Sequence, residues 1–479
     1  MKLYSLNKTQ LGKKILSLLN SNNKDSNLKI DCFKDGEFQP VFLESIRDED
    51  VYIIVDGNTP DDIIKLFLTV DASKRSGANA INVVYPYKFS PIGNRLFNNI
   101  LEYIGVSKII IIDVSNDTEI GFFTIPLSNK SETQINTEYS AMFDSNIEIE
   151  GNLFYSINKS NLAKRFLATT PNYNHSDDYF SITESENRYF PIFSNKINGR
   201  NITIIADGYK STDILKLLVT IDLAKKLGAK SISVMYPYMP YMRQDKLKGS
   251  IRSSISIRTL IDMLESVGMT RLITIELHTG CIMGMASVPV IHLNGNKIFA
   301  NYIKSLAIPD MCICPPDGGA GERNKDMAKA FPHAVTANIE KTRIKFNEIA
   351  KMILIGKENI LNKNIIIVDD ILDTAKTSKI STTLLKDNGA LSIRYIITHF
   401  VASDNALENI YNSPIDELII SDSVSGTYEK IDEYNRIYTK PNEFGILPKI
   451  TIISCADFLV ESNIRLNNHR SINELNVVS

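Results

Sequence analysis

Cysteine is scarce in this chain: five in 479 residues, at Cys32, Cys281, Cys312, Cys314 and Cys455. An odd, scattered set fits neither a disulfide framework nor a paired Cys-x-x-Cys metal site. Buried or incidental thiols in a reducing compartment are the expectation. An excess of one charge is lacking too, because 53 Lys and Arg face 55 Asp and Glu for a net charge of −2. That balance argues against a nucleic-acid coat or a polybasic membrane binder, although a local basic site can exist within it. No apolar run reaches the ~18 residues of a membrane span. The opening Met1-Lys2-Leu3-Tyr4-Ser5-Leu6-Asn7-Lys8 has no unbroken apolar stretch of the kind a signal peptide needs. These absences predict a cytoplasmic protein that binds neither nucleic acid nor membrane. What is present is globular composition, 43% hydrophobic and 23% charged. At ~150 residues per domain, the length predicts about three domains.

The chain repeats itself. Val51–Tyr87 aligns with Ile202–Tyr238 without a gap at a constant offset of 151 positions. Shared residues include Asp56-Gly57 with Asp207-Gly208, Asp62-Ile63 with Asp213-Ile214, and Tyr85-Pro86-Tyr87 with Tyr236-Pro237-Tyr238. The same offset pairs Tyr4-Ser5-Leu6-Asn7-Lys8 with Tyr155-Ser156-Ile157-Asn158-Lys159. Two copies at this period make a duplicated domain and not a solenoid, whose repeats run ~20–50 residues. In each copy a β-branched apolar run (Val51–Val55, Ile202–Ala206) leads through a Gly-bearing turn to an amphipathic stretch (Asp61–Ser76, Thr212–Leu227). A glycine, Gly77 or Gly228, ends each of those helices, and strands Ala80–Val84 and Ser231–Met235 follow. Buried strands alternating with helices predict parallel sheets covered on both faces.

The last third continues the alternation, with strands at Met311–Cys314, Asn364–Val368 and Ile393–Thr398 and a helix at Thr377–Asn388. Val424 to Pro448 is less regular, and no element is placed there. The predicted division is 1–150, 151–294 and 295–479. After strand Asn364–Val368 the chain reads Asp369-Asp370-Ile371-Leu372-Asp373-Thr374-Ala375-Lys376-Thr377. The carboxyl ends of parallel strands are where α/β proteins bind ligands, and the next helix N-terminus suits phosphate. Paired acids there can accept hydrogen bonds from sugar hydroxyls. A plain acidic strand end with an N-capping threonine is the structural alternative.

This loop resembles the PRPP-binding motif of type I phosphoribosyltransferases, in which Asp-Asp is followed by Asp-Thr-x-Gly-Thr. Lys376 replaces the family's glycine, which bears on how closely backbone approaches a 5′-phosphate. Further residues narrow the resemblance to ribose-phosphate diphosphokinases. Tyr236-Pro237-Tyr238-Met239-Pro240-Tyr241-Met242-Arg243-Gln244-Asp245 resembles their Pro-Tyr-x-x-Tyr-x-Arg-Gln-Asp signature. Glu276-Leu277-His278 with Gly284 resembles their Asp-Leu-His…Gly segment. Pro316-Asp317-Gly318-Gly319 with Arg323 resembles their pyrophosphate loop, and Lys341-Thr342-Arg343 the start of their catalytic loop.

The resemblance implies a fold of three phosphoribosyltransferase-like, doubly wound α/β domains with mainly parallel sheets, the first two an internal duplication. It implies Mg²⁺-dependent transfer of a diphosphoryl group from ATP to the anomeric hydroxyl of ribose 5-phosphate, in a homo-oligomer with small-molecule substrates. By resemblance, Lys341 and Arg343 stabilise charge on the β-phosphate, and Arg243, Gln244 and Asp245 hold ATP. His278 and Asp317 help place Mg²⁺ and ATP, and Asp317, Gly318 and Gly319 form the pyrophosphate loop. Asp369 and Asp370 orient ribose hydroxyls, with Asp373, Thr374, Ala375, Lys376 and Thr377 around the 5′-phosphate.

The first copy is 12 residues shorter between Tyr85 and Asp113 than the second is between Tyr236 and Glu276, and the missing stretch includes the Arg-Gln-Asp segment. Yet Phe33-Lys34-Asp35-Gly36-Glu37 resembles the family's Phe-x-Asp-Gly-Glu loop, which reaches a neighbouring subunit's adenine. The second copy has Glu184-Ser185-Glu186-Asn187-Arg188 instead. The copies are therefore complementary, either as a pseudo-dimer in which Phe33 and Glu37 serve the second copy, or as a decayed duplicate kept for packing. Two other readings stand beside the leading one: ADP-ribose as the acceptor, as in some viral relatives, and a non-catalytic regulatory homologue.

Overall fold

The computed structural model describes residues 1–10, 12–13, 16, 27–86, 94–116, 119–125, 151–185, 188–247, 251–345 and 348–476. Of residues 86, 94, 111–116, 119–125, 341–345 and 348–351 only the backbone is described. The chain forms two compact units: Met1–Asn158 with Asn172–Ile273 and Thr279–Val290, and Lys159–Pro171 with Thr274–His278 and Ile291–Ser479. The architecture is mixed α/β with mainly parallel sheets, as the alternation of strand and helix predicts.

Each copy of the repeat builds a five-stranded sheet. In the first the order is Lys2–Ser5, Asp50–Ile54, Ala80–Pro86, Lys108–Asn116 and Glu119–Ile125, parallel except for the last strand. In the second, Leu153–Ser156, Asn201–Ile205, Ser231–Met235 and Arg271–Ile275 take the corresponding places in parallel, with Val290–Leu293 at the edge. Helices Pro60–Arg75 and Ser211–Lys226 follow the second strand of each copy. Both end at a glycine with positive φ, 81° at Gly77 and 79° at Gly228, as expected for the residue after the cap.

The residues shared by the copies make the same bonds twice. Ser5 Oγ and the Asn7 amide bond Asp56 at 2.8 Å each, and Asn7 Nδ2 donates to Asp62 at 2.8 Å. At the offset, Ser156 Oγ and the Asn158 amide bond Asp207 at 3.1 and 2.9 Å, and Asn158 Nδ2 donates to Asp213 at 2.9 Å. Lys65 lies over the Phe38 ring, and Lys216 lies over that of Tyr189. One bond is not duplicated: Tyr236 Oη donates to the Gly208 carbonyl, whereas buried Tyr85 Oη has no partner among the described residues.

The copies pack through equivalent helices. Pro60–Arg75 meets Ser211–Lys226, and Asn94–Ile104 meets Ser256–Val267. Asp71 accepts the Ile255 amide at 3.0 Å across this boundary. The first copy's hairpin, Leu28–Cys32 with Phe38–Phe42, gains a third strand from the second copy at Arg252–Ser253. The second copy's hairpin, Phe180–Ser185 with Arg188–Phe193, is a two-stranded sheet.

The remaining unit has a six-stranded parallel sheet in the order Val335–Thr336, Met311–Ile313, Asn364–Leu372, Ser392–Phe400, Glu417–Ser421, Lys449–Ile453. Along its central strand, Ile365 and Ile367 enter one core while Ile366 and Val368 enter another. Both faces are covered, which is why the run carries no polar alternation. The irregular stretch after Val424 contains the helix Thr427–Ile437.

Asp62 and Asp213 leave no room beside the preceding glycines. A Cβ on Gly57 would lie 2.2 Å from Asp62 Oδ2, and one on Gly208 2.3 Å from Asp213 Cγ. Gly57→Ala and Gly208→Ala should each lower stability by about 1–3 kcal/mol. Chemical unfolding of the two variants checks this, and wild-type midpoints would mean that the carboxylates move aside freely.

Candidate functional site

In the first unit, the hairpin loop Phe33–Glu37 of copy one meets the Tyr241–Asp245 segment of copy two. A turn closes the loop, with the Phe33 amide donating to the Glu37 carbonyl at 2.8 Å and Gly36 at φ 87°. The two acids point inward. Arg243 Nη2 donates to Asp35 Oδ2 at 2.6 Å, Gln244 Nε2 donates to Glu37 Oε2 at 2.9 Å, and the Tyr241 amide donates to Glu37 Oε1. Ser256 Oγ holds the Gln244 carbonyl oxygen at 2.6 Å, and Thr279 Oγ1 holds Asp245 at 2.7 Å. Phe33 is 38% exposed, so its ring remains a surface on which a flat group can stack. Asp35 belongs to this cluster and was not singled out from sequence, although it lies inside the quoted motif.

Burial, and then the charge of Asp35, push the Glu37 carboxyl up to about 7, against the opposing effects of Arg243 and the donors from Tyr241 and Gln244. A carboxyl whose value rises on folding binds its proton more tightly in the native state, so its contribution falls as pH climbs through that window.

In the second unit the acids lie at a change of chain direction in the sheet. Strand Met311–Ile313 has Val335–Thr336 on one side and Asn364–Leu372 on the other, and the carboxyl ends of strands at such a switch point are where open α/β sheets bind ligands. Asp317 follows the first of these, and Asp369 and Asp370 lie within the second, which runs on to Leu372. Asp317 caps the turn Gly318–Ala320 by accepting the Gly319 amide at 2.9 Å. A Cβ would meet nothing within 4 Å at Gly318 or Gly321, and neither has a positive φ. The fold does not demand glycine there; its effect is to leave backbone bare.

His278 Nδ1 lies 2.7 Å from Asp370 Oδ2, and Arg323 Nη2 reaches the same oxygen at 3.1 Å. Burial alone would raise Asp370, but the His278 bond and then the Arg323 charge hold it well below the carboxylate range. Asp369 goes the other way, raised by burial and by the charge of Asp370. The two neighbouring carboxyls are thus shifted in opposite directions.

Beyond the strand, Asp373 accepts from Ser403 Oγ, and Asn409 Nδ2 donates to the Thr374 carbonyl at 2.9 Å. Ala375 begins helix Lys376–Asp387 at φ 56° with no side-chain cap, so the N-capping threonine of the structural alternative is absent. Lys376 is exposed, and Thr377 follows it in the first helical turn. Lys341 and Arg343 lie on Asn338–Lys345, one arm of a hairpin with Glu348–Ile355, and their side chains fall outside the described part of the structure. Glu276 and Arg323, noticed only as motif neighbours, turn out to anchor His278 and Asp370.

Among the described residues no three His, Cys, Asp or Glu side chains group as a metal cage. Mg²⁺ commonly keeps waters and binds through one or two carboxylates and substrate phosphates, so this sparse donor set fits an ion delivered with a nucleotide.

Two sites at sheet ends and loop tips, one built around an Arg-Gln-Asp segment and one around paired acids, define a doubly wound α/β enzyme. A family profile described as the N-terminal domain of ribose phosphate pyrophosphokinase matches residues 1–90 and again 158–268, and one described as the phosphoribosyl synthetase-associated domain matches 320–475. The chain is 34% identical over 287 residues to the ribose-phosphate pyrophosphokinase of Porphyromonas gingivalis, covering 59% of this chain and 84% of that one. It is 36% identical to the enzyme of that name from Oceanobacillus iheyensis, covering 55% and 77%. The crystal structure of phosphoribosylpyrophosphate synthetase from Mycobacterium smegmatis shares the fold, with a TM-score of 0.56 at 23% identity over 67% of this chain and all of that one. The chain belongs to the ribose-phosphate pyrophosphokinase family.

Replacing Glu37 by Gln removes the titration described above. From pH 5 to pH 8 the variant should gain about 2–3 kcal/mol of stability relative to wild type. Urea unfolding of both proteins at the two pH values measures this, and parallel curves would mean that Glu37 stays ionised throughout.

Proposed function

We propose that this protein transfers the β,γ-diphosphoryl group of ATP to the anomeric hydroxyl of ribose 5-phosphate, giving PRPP and AMP. The observation that carries the reading is the contact of Asp35 and Glu37 with Arg243 and Gln244, which puts the loop of one copy onto the nucleotide signature of the other. In this reading Phe33 stacks on adenine, Glu37 holds the loop that carries Phe33, and Arg243, Gln244 and Asp245 form the nucleotide side. Asp369 and Asp370 orient the ribose hydroxyls. Asp373, Thr374, Ala375, Lys376 and Thr377 surround its 5′-phosphate at a helix N-terminus. The bare backbone of Gly318, with Gly319 beside it, approaches the diphosphate.

Lys341 and Arg343 stabilise the charge that develops on the transferred group, the main task of a protein in phosphoryl transfer. Asp317 and His278 are the residues that would hold Mg²⁺, which when bound neutralises phosphate charge. All five cysteines carry free thiols, which supports a reducing, cytoplasmic setting. Among the described residues no helix is long and apolar enough to cross a membrane. Assembly into a homo-oligomer belongs to the same proposal.

One observation favours testing a second acceptor: Lys376, exposed where the family motif has glycine, offers a cation for an additional phosphate. AMP release from ATP should therefore be followed with ribose 5-phosphate and with ADP-ribose separately. Release with the first supports the reading, release with ADP-ribose alone replaces the acceptor, and none with either leaves a non-catalytic homologue.

Lys341→Ala and Arg343→Ala should each lower kcat by ~100–1,000-fold with the fold intact. Wild-type turnover would remove the pair from the mechanism. Phe33→Ala should raise the KM for ATP by an amount worth ~1–3 kcal/mol, leaving the KM for the sugar nearly unchanged. If instead only the melting temperature falls, the first copy serves packing alone.

A further inference from the structure

Glu276 has φ 37°, a left-handed backbone that a residue with a Cβ rarely adopts. The bonds around it are enough to hold such a conformation. Its amide donates to the Leu293 carbonyl at 2.9 Å, and its carboxylate accepts the Gly295 amide at 2.8 Å. Buried His399 places Nε2 3.0 Å from the Glu276 carbonyl while its Nδ1 meets Ser423 Oγ at 2.9 Å. A Cβ on Gly295 would lie 2.5 Å from Thr398 Oγ1, so the close approach to Glu276 needs glycine. Strained non-glycine residues persist where the surroundings over-determine them. Here the residue two places on is His278.

Arg323 closes this arrangement onto the acid strand. Its side chain is 12% exposed, and Nε donates to Glu276 Oε1 at 2.7 Å. Nη2 lies 3.2 Å from the Leu277 carbonyl, 2.9 Å from that of His278 and 3.1 Å from Asp370 Oδ2. One guanidinium thus touches the main chain that carries the imidazole and the carboxylate that the imidazole meets. A planar fork can serve carbonyls and carboxylates in one plane; a lysine ammonium cannot. The neighbouring Asn324 ties the same helix to the strand, with Nδ2 donating to the Val368 carbonyl at 2.7 Å and Oδ1 accepting the Val368 amide at 3.1 Å. The Arg323 position is therefore fixed relative to Asp370.

We propose that Arg323 is a positioning residue that locks the His278 ring onto Asp370, with Glu276 as its anchor, and so fixes the direction in which the other imidazole nitrogen faces a substrate. Asp370 accepts, so Nδ1 carries the proton and Nε2 is the nitrogen left for substrate. The kinetic consequence rests on the function proposed above; the structural one does not.

The test uses the full chain labelled with ¹⁵N-histidine, His278 being assigned by comparison with His278→Asn. Wild type should show a downfield, exchange-protected Nδ1–H signal from His278. Arg323→Lys should lose that protection while keeping the fold by circular dichroism. Its kcat should fall about tenfold or more, and the KM for the ribose substrate should rise. Glu276→Gln, which leaves Arg323 in place with a weaker anchor, should show the same signature to a smaller degree. It carries the test if Arg323→Lys fails to fold. A wild-type protein with no protected His278 signal overturns the proposal. So does a folded Arg323→Lys protein with wild-type signal and kinetics, or an unfolded one beside a wild-type-like Glu276→Gln. If wild type releases no AMP, the activity reading fails, and the ring signal alone still decides the role of Arg323.

Discussion

The packing of helix Pro60–Arg75 on its own duplicate, Ser211–Lys226, governs what the two copies can do for each other. When equivalent surfaces meet, each feature on one copy is presented to the matching place on the other. Two identical copies would then form two equivalent contacts. Among the described residues only the first hairpin is joined by a strand from the opposite copy, and the first copy is 12 residues shorter where the second carries its Arg-Gln-Asp stretch. The asymmetry of the sequence becomes an asymmetry of the site without any change in the packing rule.

That contact is electrostatically demanding. Asp35 and Glu37 are both buried, and a carboxylate taken from water must be compensated. Arg243 supplies a charge to Asp35, while Glu37 receives a backbone amide and a side-chain amide. Phe33 stays at the surface. The loop thus fixes itself through its acids and leaves its aromatic face exposed.

The paired acids of the second unit separate in the same spirit. His278 and Arg323 hold the Asp370 carboxyl well below the usual carboxylate range, while burial and then the Asp370 charge push Asp369 up. Adjacent carboxyls cannot both ionise cheaply in a low-dielectric crevice.

Much of this was written in the sequence. Strand-and-helix alternation, the glycines after Pro60–Arg75 and Ser211–Lys226, and the offset of 151 are local or periodic, and local chemistry determines them. The repeated Ser-Asp-Asn bonds join residues shared by both copies, 49 to 55 positions apart within each copy. The helix Thr427–Ile437 was not legible, because its buried side is only Thr427, Ile431 and Tyr434 amid charged neighbours. Sequence motifs named His278 and Asp370 but could not join them, since they are 92 positions apart. Nor could they reveal that Arg323 grips both, or that Asp35 and Glu37 find partners more than 200 positions away. Those pairings exist only once sheets have fixed the distances, because a hydrogen bond depends on geometry and not on separation along the chain.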